Sequence, residues 1–200
     1  MGGMAQRDLF AGAPLPEGMA YQPGFVGEAE AEAMLALLAG LPFQPFQFRG
    51  YEGRRRVVSF GWRYDFNGPG LTAAEPMPDW LLPLRDRAAG FAGLPPAAFE
   101  HVLINEYRPG APIGWHRDRP VFDKVVGVSL GAPATLRLRR KAGDRWERRE
   151  APLEPRSAYL LTGPSRTEWE HSLREAQALR YSITFRNLRG QSLSGSGGVT

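Results

Sequence analysis

The chain has 200 residues, a net charge of +4 and no cysteine. This length suits one domain, and 42% hydrophobic with 23% charged residues excludes a disordered protein. The absence of thiols excludes disulfides, cysteine-bound zinc and thiol nucleophiles. No apolar run reaches the roughly 18–20 residues of a membrane span, and no charged-then-apolar signal begins the chain. We therefore expect a cytoplasmic protein without membrane contact.

The composition indicates one folded domain between two loose ends. Residues 1–20 are rich in Gly, Ala and Pro and are predicted to form a flexible arm. Residues 190–200 are predicted to form a flexible tail because Gly and Ser dominate them. A single domain is therefore expected over residues 21–189.

Two helices are predicted in the first half of the chain. Gly27–Ala39 has acidic residues near its start, where the helix dipole favours anions, followed by an apolar face. A second helix is expected to begin after Pro78 with Asp79 as its N-cap, and to close at Gly90 and Gly93.

Strands dominate the rest of the chain. Arg55–Phe66 is predicted to be a strand, with turns at Gly53 and at Asn67-Gly68. Further strands are predicted at His101–Tyr107, Lys124–Leu130, Thr135–Arg139, Trp146–Leu153, Ala158–Thr162, Trp169–Leu173 and Leu179–Leu188. Many short strands with frequent turns indicate an antiparallel sandwich or barrel. The predicted fold class is α+β and mainly β, with helices layered on a β-sandwich.

Two histidines and a carboxylate form a candidate metal site. His116 and Asp118 are two residues apart, so both point to one face of an extended segment. His171 follows in another predicted strand. Two His and one carboxylate form the ligand set of non-haem Fe(II) oxygenases. Taken alone, the His-x-Asp tripeptide is also explained by chance.

A strand near the end of the chain has one polar face with two arginines. Arg180, Ser182, Thr184 and Arg186 alternate with apolar residues. A solvated face would explain this pattern, whereas a buried face would need anionic partners, since unpaired buried charge is costly. A dicarboxylate ligand would supply them. Two upstream residues that share a face, Asn105 and Tyr107, are candidate hydrogen-bond donors to the same ligand.

Seven short motifs, taken together and in order, resemble those of a known protein family. In order they are Asn105-Glu106-Tyr107, Pro109-Gly110, His116-Arg117-Asp118, Val128-Ser129-Leu130-Gly131, Gly163-Pro164-Ser165-Arg166, Trp169-Glu170-His171 and the alternating run from Arg180 to Arg186. The chain resembles the AlkB family of Fe(II)- and 2-oxoglutarate-dependent dioxygenases over residues 56–188. The resemblance implies a double-stranded β-helix, or jelly-roll, core over about residues 99–189 and a lid hairpin over about 45–70.

The resemblance also implies roles for matched positions. The iron ligands would be His116, Asp118 and His171. The residues that bind 2-oxoglutarate would be Asn105, Tyr107, Arg180, Ser182 and Arg186, with Arg180 on the distal carboxylate and Arg186 on the carboxylate beside the keto group. Ser182 departs from the best-known bacterial member, which has Asn there.

The family activity implied is oxidative removal of alkyl groups from nitrogen atoms of DNA or RNA bases. Fe(II), 2-oxoglutarate and O2 would be required, and succinate, CO2 and an aldehyde would be released. We expect a monomer that acts on single-stranded or locally opened nucleic acid. Two other classes stay open: the same chemistry on a protein or small molecule, and a nucleic-acid-binding domain without catalysis.

The predicted lid supplies candidate substrate contacts. A triple arginine, Arg54, Arg55 and Arg56, suits phosphate contacts, and Trp62 and Tyr64 are candidates for stacking on a base. A core position explains the two aromatic residues equally well.

Two other features have plainer explanations. Residues 137–149 hold seven cations against Asp144 and Glu147, which is typical of a solvated hairpin, although a nucleic-acid backbone could follow it. His101 lies beside an apolar run and is expected to be structural.

Overall fold

The computed structural model describes residues 14–48, 50–65 and 70–190. In chain order its elements are β1 (Met19–Gln22), α1 (Glu28–Ala39), β2 (Gln44–Phe48), β3 (Tyr51–Phe60), β4 (Trp62–Asp65), β5 (Gly70–Ala73), a 3-10 turn (Asp79–Leu81), α2 (Leu82–Phe91), β6 (His101–Tyr107), β7 (Ile113–His116), β8 (Phe122–Gly131), β9 (Ala134–Ala142), β10 (Arg145–Leu153), β11 (Ala158–Leu161), α3 (Gly163–Thr167), β12 (Glu170–Leu173) and β13 (Arg180–Leu188). The predicted tail beyond residue 190, the Asn67-Gly68 turn and residues 1–13 of the predicted arm lie outside the described residues. None of the described helices is long and apolar enough to span a bilayer.

The strands form two main sheets that pack against each other. The large sheet has the order β1-β11-β8-β13-β6-β3-β2, and the smaller sheet has the order β10-β9-β12-β7. All paired neighbours run antiparallel. From β6 onward the chain passes back and forth between the two sheets, apart from the β9–β10 hairpin within the small sheet, as in a jelly roll. This confirms the predicted α+β, mainly β class with a jelly-roll core and N-terminal helices.

Period-two alternation separates an apolar face from a polar face in the large sheet. Ile104 and Ile183 lie opposite each other and join the apolar core beneath α1 and α2. Their neighbours Asn105 and Ser182 are also paired, and they face the interior of the sandwich. The alternation predicted for β13 is therefore confirmed. It puts the polar side chains of the strand between the two sheets.

The interior of the sandwich has an apolar end and a polar end. The apolar end is a second buried cluster that includes Leu136, Leu138, Leu153 and Trp169. It holds the small sheet against the large one through the burial of apolar surface. The polar end remains open and forms the cleft described below.

The N-terminal segment adds strands to both edges of the large sheet. β1 pairs with β11, with Met19 opposite Leu161, so the last two residues of the predicted arm belong to the sheet. β3 pairs with β6 on the other side. The predicted strand Arg55–Phe66 was wrong at its start, because β3 begins at Tyr51 and continues through the expected turn at Gly53.

That predicted strand is also interrupted. Gly61 separates β3 from β4 and has a φ of +75°, and a Cβ at this position would lie 2.0 Å from the Glu100 carbonyl oxygen. Only glycine allows so close an approach in this conformation. The break at Gly61 ends β3 and separates it from β4.

Two helix details differ from the sequence-based expectation. Asp79 lies inside the 3-10 turn and forms no side-chain cap, and α2 continues through Gly90 to Phe91. Pro83 in the first turn of α2 fixes the start of the helix instead, since its ring presets φ and it lacks an N–H. Neither β7 nor the short α3, whose segment was predicted as a turn, was expected as an element.

Candidate active site

A cleft of about 2050 Å³ opens at the polar end of the sandwich. Most of the residues singled out from the sequence line it. These are Arg54, Arg55, Tyr64, Asn105, Tyr107, His116, Asp118, His171, Arg180, Ser182 and Arg186. The remaining two, Arg56 and Trp62, do not. The topology has thus brought together side chains from both sheets and from the β3–β4 segment.

The three predicted metal ligands meet on the small sheet and the loop that follows it. His116 on β7 is paired directly with His171 on β12, and their ring centroids lie 4.3 Å apart. Nε2 of His171 lies 3.8 Å from Oδ2 of Asp118. The side chains converge, but no group of His, Asp or Glu among the described residues is already arranged to hold a metal ion. Ion binding would require the three side chains to close further.

The chemistry of this donor set suits a divalent metal. Burial, with His116 nearby, lowers the pKa of His171 to about 3, and burial also lowers the pKa of His116. Burial opposes ionisation of Asp118, but Arg186 and the two imidazoles outweigh it and hold the pKa of Asp118 below its ordinary value. Two neutral imidazoles and one carboxylate are the protonation states that metal binding requires.

Hydrogen bonding leaves the ligating nitrogen of His116 available. Nδ1 of His116 lies 2.8 Å from the Gly114 carbonyl oxygen and donates to it in the neutral ring. Nε2 then carries the lone pair. Such a bond to a backbone carbonyl orients a metal-binding histidine and fixes its tautomer.

Asp118 is shared between the histidines and an arginine. Nη2 and Nε of Arg186 donate to Oδ1 of Asp118 at 2.7 Å and 2.9 Å. The other guanidinium nitrogen of Arg186, Nη1, is buried and has no hydrogen-bond partner among the described residues. Arg186 therefore links the carboxylate of the metal site to the polar face of β13 and keeps one donor for another acceptor.

Arg180 is the stronger indication of an anionic ligand. The residue is 1% exposed; Nη2 donates to Oγ of Ser129 at 2.8 Å, and the side chain also has a hydrogen bond with Tyr107. Nε and Nη1 are buried without a partner among the described residues. A buried guanidinium with two unused donors is costly unless an anion completes it. The residues present thus fit a carboxylate at this end of the cleft and a metal at the other.

A family comparison agrees with this arrangement. The model of the 2OG-Fe(II) oxygenase superfamily matches residues 18–186. The chain belongs to this superfamily. The match covers the helices, nearly all of both sheets and every predicted metal and cosubstrate residue, and the family as such uses Fe(II), 2-oxoglutarate and O2.

Several named relatives of this oxygenase are AlkB proteins. The zebrafish (Danio rerio) "Probable RNA/DNA demethylase ALKBH6" is 30% identical over 149 residues, 74% of this chain and 60% of the relative. The human (Homo sapiens) "DNA oxidative demethylase ALKBH2" is 34% identical over 142 residues, 64% of this chain and 53% of the relative. The chain thus spans little more than half the length of these relatives. A solved structure of OsALKBH1 aligns with a TM-score of 0.65 over 88% of this chain and all of that chain at 18% identity, which supports the fold.

Other predicted cosubstrate residues of the oxygenase lie between Arg180 and Arg186. Ser182 is buried, with its Oγ 3.3 Å from Oγ1 of Thr184. Oδ1 of Asn105 is buried without a partner among the described residues. The Tyr107 ring lies 5.2 Å from the guanidinium carbon of Arg180. These polar groups extend along the same wall of the cleft.

The triple arginine of β3 is divided between two faces of the sheet. Arg55 lines the cleft, stacked with its guanidinium carbon 3.7 Å from the Phe46 ring centroid, and its Nε is buried without a partner in the described structure. Arg54 lies at the rim, where Nη1 donates to the Gly110 carbonyl. Arg56 points to the opposite face and binds Glu106 and the Phe43 carbonyl.

Two predicted substrate contacts are therefore corrected. Arg56 does not reach the cleft, because alternation along β3 puts it on the face of Glu106, with which it is paired. Trp62 does not line the cleft either, although Arg63 and Tyr64 of the same strand do. Tyr64 does line it, and the Arg119 guanidinium carbon lies 4.9 Å from its ring centroid.

Among the cleft residues that were not singled out from the sequence, two have clear structural roles. Tyr159 on β11 covers Gly127, where a Cβ would lie 2.4 Å from the ring. Arg166 is buried on α3, and its Nη2 donates to the carbonyls of Arg119 and Phe122. It fastens the loop that carries Asp118. The Gly163-to-Arg166 motif was the available signal for Arg166, while nothing local marked Tyr159.

Proposed function

We propose that this chain is an Fe(II)- and 2-oxoglutarate-dependent dioxygenase that removes nitrogen-linked alkyl groups from DNA or RNA bases. The observation that carries the proposal is the pairing of a two-His, one-Asp donor set with a buried, incompletely satisfied Arg180 in the same cleft. A site for a metal alone would not need a buried cation at its far end.

His116, Asp118 and His171 would hold the iron through two neutral nitrogens and one carboxylate. When bound, Fe(II) supplies oxygen activation coupled to the conversion of 2-oxoglutarate to succinate and CO2. Arg180 would bind the distal carboxylate of 2-oxoglutarate, and the free donor of Arg186 would bind the carboxylate near the metal. Ser182, Asn105 and Tyr107 would position the cosubstrate between the two arginines.

Hydroxylation of an alkyl carbon attached to nitrogen gives an unstable hemiaminal. Its carbon–nitrogen bond breaks, and an aldehyde and the dealkylated nitrogen are released. The protein's contribution is to hold the alkyl carbon near the metal and to exclude water. Arg55, stacked on Phe46, and Tyr64 would form the wall that contacts the base or its phosphate.

A nucleic-acid substrate is supported by the relatives named as DNA or RNA demethylases and by the cationic wall on β3. We propose a single-stranded or locally opened form. Opening a duplex costs a few kcal/mol, and the exposed large apolar side chains of the described residues, Leu37 and Leu179, lie outside the cleft.

The test is incubation with N-methylated DNA and RNA oligonucleotides in the presence of iron, ascorbate and 2-oxoglutarate, followed by nucleoside mass spectrometry. We expect loss of N-methyl groups with formaldehyde and succinate in equal amounts, and none of these products with His116→Ala. Succinate without any change in the oligonucleotides would contradict the substrate class and favour a protein or small molecule. The absence of succinate under all conditions would contradict the oxygenase activity.

A further inference from the structure

The outer face of the small sheet carries a ladder of stacked aromatic and cationic side chains. The ladder consists of Trp115, Arg137, Arg139, Lys141 and Trp146. The guanidinium carbon of Arg139 lies 4.3 Å from the Trp115 ring centroid and 4.2 Å from that of Trp146. Arg137 lies 4.7 Å from Trp115, and Nζ of Lys141 lies 5.0 Å from Trp146. The five side chains form one continuous surface.

The geometry of the strands keeps this ladder on the outside. On β9, Leu136 and Leu138 are buried between the sheets, so the alternate residues Arg137, Arg139 and Lys141 point outward. On β10, Trp146 is paired with Lys141 and therefore shares its face. Trp115 precedes the inward-facing His116 on β7 and so lies on the outer face too.

The ladder has more positive charge than its surroundings neutralise. Arg139 is paired with Glu170 at 2.7 Å. Arg137 and Lys141 have no ion-pair partner among the described residues, and both tryptophans are half-buried, which leaves part of each ring accessible. Indole faces and guanidinium planes are surfaces on which unpaired bases stack, and cations beside them contact the phosphates.

The ladder begins at the mouth of the active-site cleft. Trp115 and Glu170 belong both to the outer face and to the lining of the cleft. Four strands spaced about 4.8 Å apart make this sheet roughly 14 Å wide. About four nucleotides span that width at a duplex rise of about 3.4 Å per nucleotide. Fewer nucleotides span it if the single strand is extended.

We propose that the ladder binds the single-stranded nucleic acid that flanks the nucleotide held in the cleft. The inference rests on the proposed function and extends it, because it assigns a path on the surface to the neighbouring nucleotides. Bases stack on Trp115 and Trp146, and Arg137 and Lys141 contact the backbone. An acidic polypeptide is the competing class of partner, but it would use the cations without the aromatic rings.

The test compares two labelled probes by fluorescence anisotropy at several salt concentrations. One is a trinucleotide with a central N-methylated base, which fills the cleft only, and the other is a 15-mer with the same centre. The double variant R137Q/K141Q should weaken binding of the 15-mer about tenfold and reduce its log–log salt slope by about 1.4, which corresponds to two phosphate contacts on a single strand. Binding of the trinucleotide should stay the same.

Trp146 provides an independent arm of the test. Trp146→Ala should weaken the 15-mer by at least about fivefold, as expected for a lost stacking platform, while Trp146→Phe should restore most of the affinity because a ring remains. Circular dichroism melting of each variant shows that the domain is folded during the measurement.

A matched control removes the same charge elsewhere. R87Q/R156Q deletes two cations near α1 and α2, on the far side of the large sheet, where they pair with Glu30 and Glu28. An equal loss of 15-mer affinity in this control, or tighter binding of polyglutamate than of the 15-mer, overturns the ladder proposal.

If trinucleotides are demethylated but the ladder variants bind the 15-mer like the wild type, the ladder proposal fails while the proposed function stands. If the wild type neither binds nor alters any oligonucleotide, the proposed function fails.

Discussion

Arg56 and Glu106 form an ion pair on the face of the large sheet that is turned away from the cleft. Nη1 of Arg56 lies 2.9 Å from Oε1 of Glu106, and Nη2 donates to the Phe43 carbonyl at 2.7 Å. The neighbouring residue, Arg55, points into the cleft instead. The two adjacent arginines thus have different surroundings, so the role of each can be tested by a separate mutation.

The first prediction compares these two arginines. Arg56→Gln should lower the free energy of unfolding by about 1–3 kcal/mol, because the buried Glu106 loses one of its two ion pairs and keeps only that with the more exposed Arg108. Arg55→Gln should leave stability within about 0.5 kcal/mol of the wild type but weaken oligonucleotide binding and flatten its salt dependence.

Urea unfolding and oligonucleotide anisotropy measure the two effects separately. Each variant serves as the charge-matched control for the other. A loss of oligonucleotide affinity in Arg56→Gln equal to that in Arg55→Gln, with both variants folded, would contradict the division of roles along β3.

The second prediction concerns Arg180. Arg180→Met should raise the KM for 2-oxoglutarate by about 100-fold or more, because a charge-assisted bidentate contact is lost. Without 2-oxoglutarate the same variant should be as stable as the wild type or more stable, since an apolar side chain of similar volume removes a buried, incompletely satisfied charge.

Succinate formation gives the KM, and thermal melting with and without 2-oxoglutarate gives the stabilities. The wild type should gain thermal stability from 2-oxoglutarate and the variant should not. An unchanged KM would remove Arg180 from the cosubstrate site, and a strongly destabilised variant would indicate that Arg180 has a structural role.

The third prediction concerns the metal. His116→Ala should abolish succinate formation and the thermal stabilisation by Mn²⁺, an oxygen-inert stand-in for Fe(II), while the metal-free domain stays folded. The apolar cluster at the other end of the sandwich holds the sheets together without the ion. Isothermal titration with Mn²⁺ measures the loss directly, and His101→Phe serves as a histidine control outside the donor set. Retention of Mn²⁺ affinity by His116→Ala would contradict the assignment.

The fourth prediction concerns acid sensitivity. Burial holds the pKa of His101 well below its ordinary value near 6.5. As the pH falls, His101 is therefore protonated in the unfolded chain before it is protonated in the folded protein. Its stabilising contribution is complete above about pH 6.5 and is lost progressively as the pH falls below that value. His101→Phe should reduce this loss while preserving the ring contact with Phe122, whose centroid is 4.8 Å away.

Chemical denaturation between pH 7.5 and 5 provides the measurement. The slope of the unfolding free energy against pH should be smaller in His101→Phe than in the metal-free wild type. Identical slopes would mean that His101 does not remain neutral in the folded protein.

The strands of the jelly roll were predictable because their residues alternate. His101–Tyr107 was predicted with its observed bounds, and the polar face of β13 was identified from period two alone. The same periodicity put Arg180 and Arg186 on one face of β13 and Asn105 and Tyr107 on one face of β6, whereas the meeting of the two faces on one cleft wall depends on the pairing of β6 with β13. Local sequence is sufficient where each residue's environment depends on its own strand.

Other parts of the site depend on distant partners and could not be predicted in this way. Arg56 was assigned to the substrate because nothing local distinguishes it from Arg55; the deciding residue, Glu106, lies 50 positions away. Tyr159 was missed because its place depends on Gly127 in the neighbouring strand. The turn expected at Gly53 was wrong, because Gly53 lies within β3, where the pairing with β2 is irregular between Glu52 and Arg56.

The ion pair between Arg56 and Glu106 has a consequence for how this protein can diverge. A run of identical residues cannot define its own alignment with a neighbouring strand, and a shift of one position would exchange the side chains on the two faces of β3. Glu106 favours the observed alignment together with the packing of Val58 and Phe60 on the apolar core, although it lies on the face turned away from the cleft. Replacement of Glu106 would therefore weaken the preference that keeps Arg55, rather than Arg56, at the cleft. A change on the far side of the sheet can in this way alter the wall that meets the substrate.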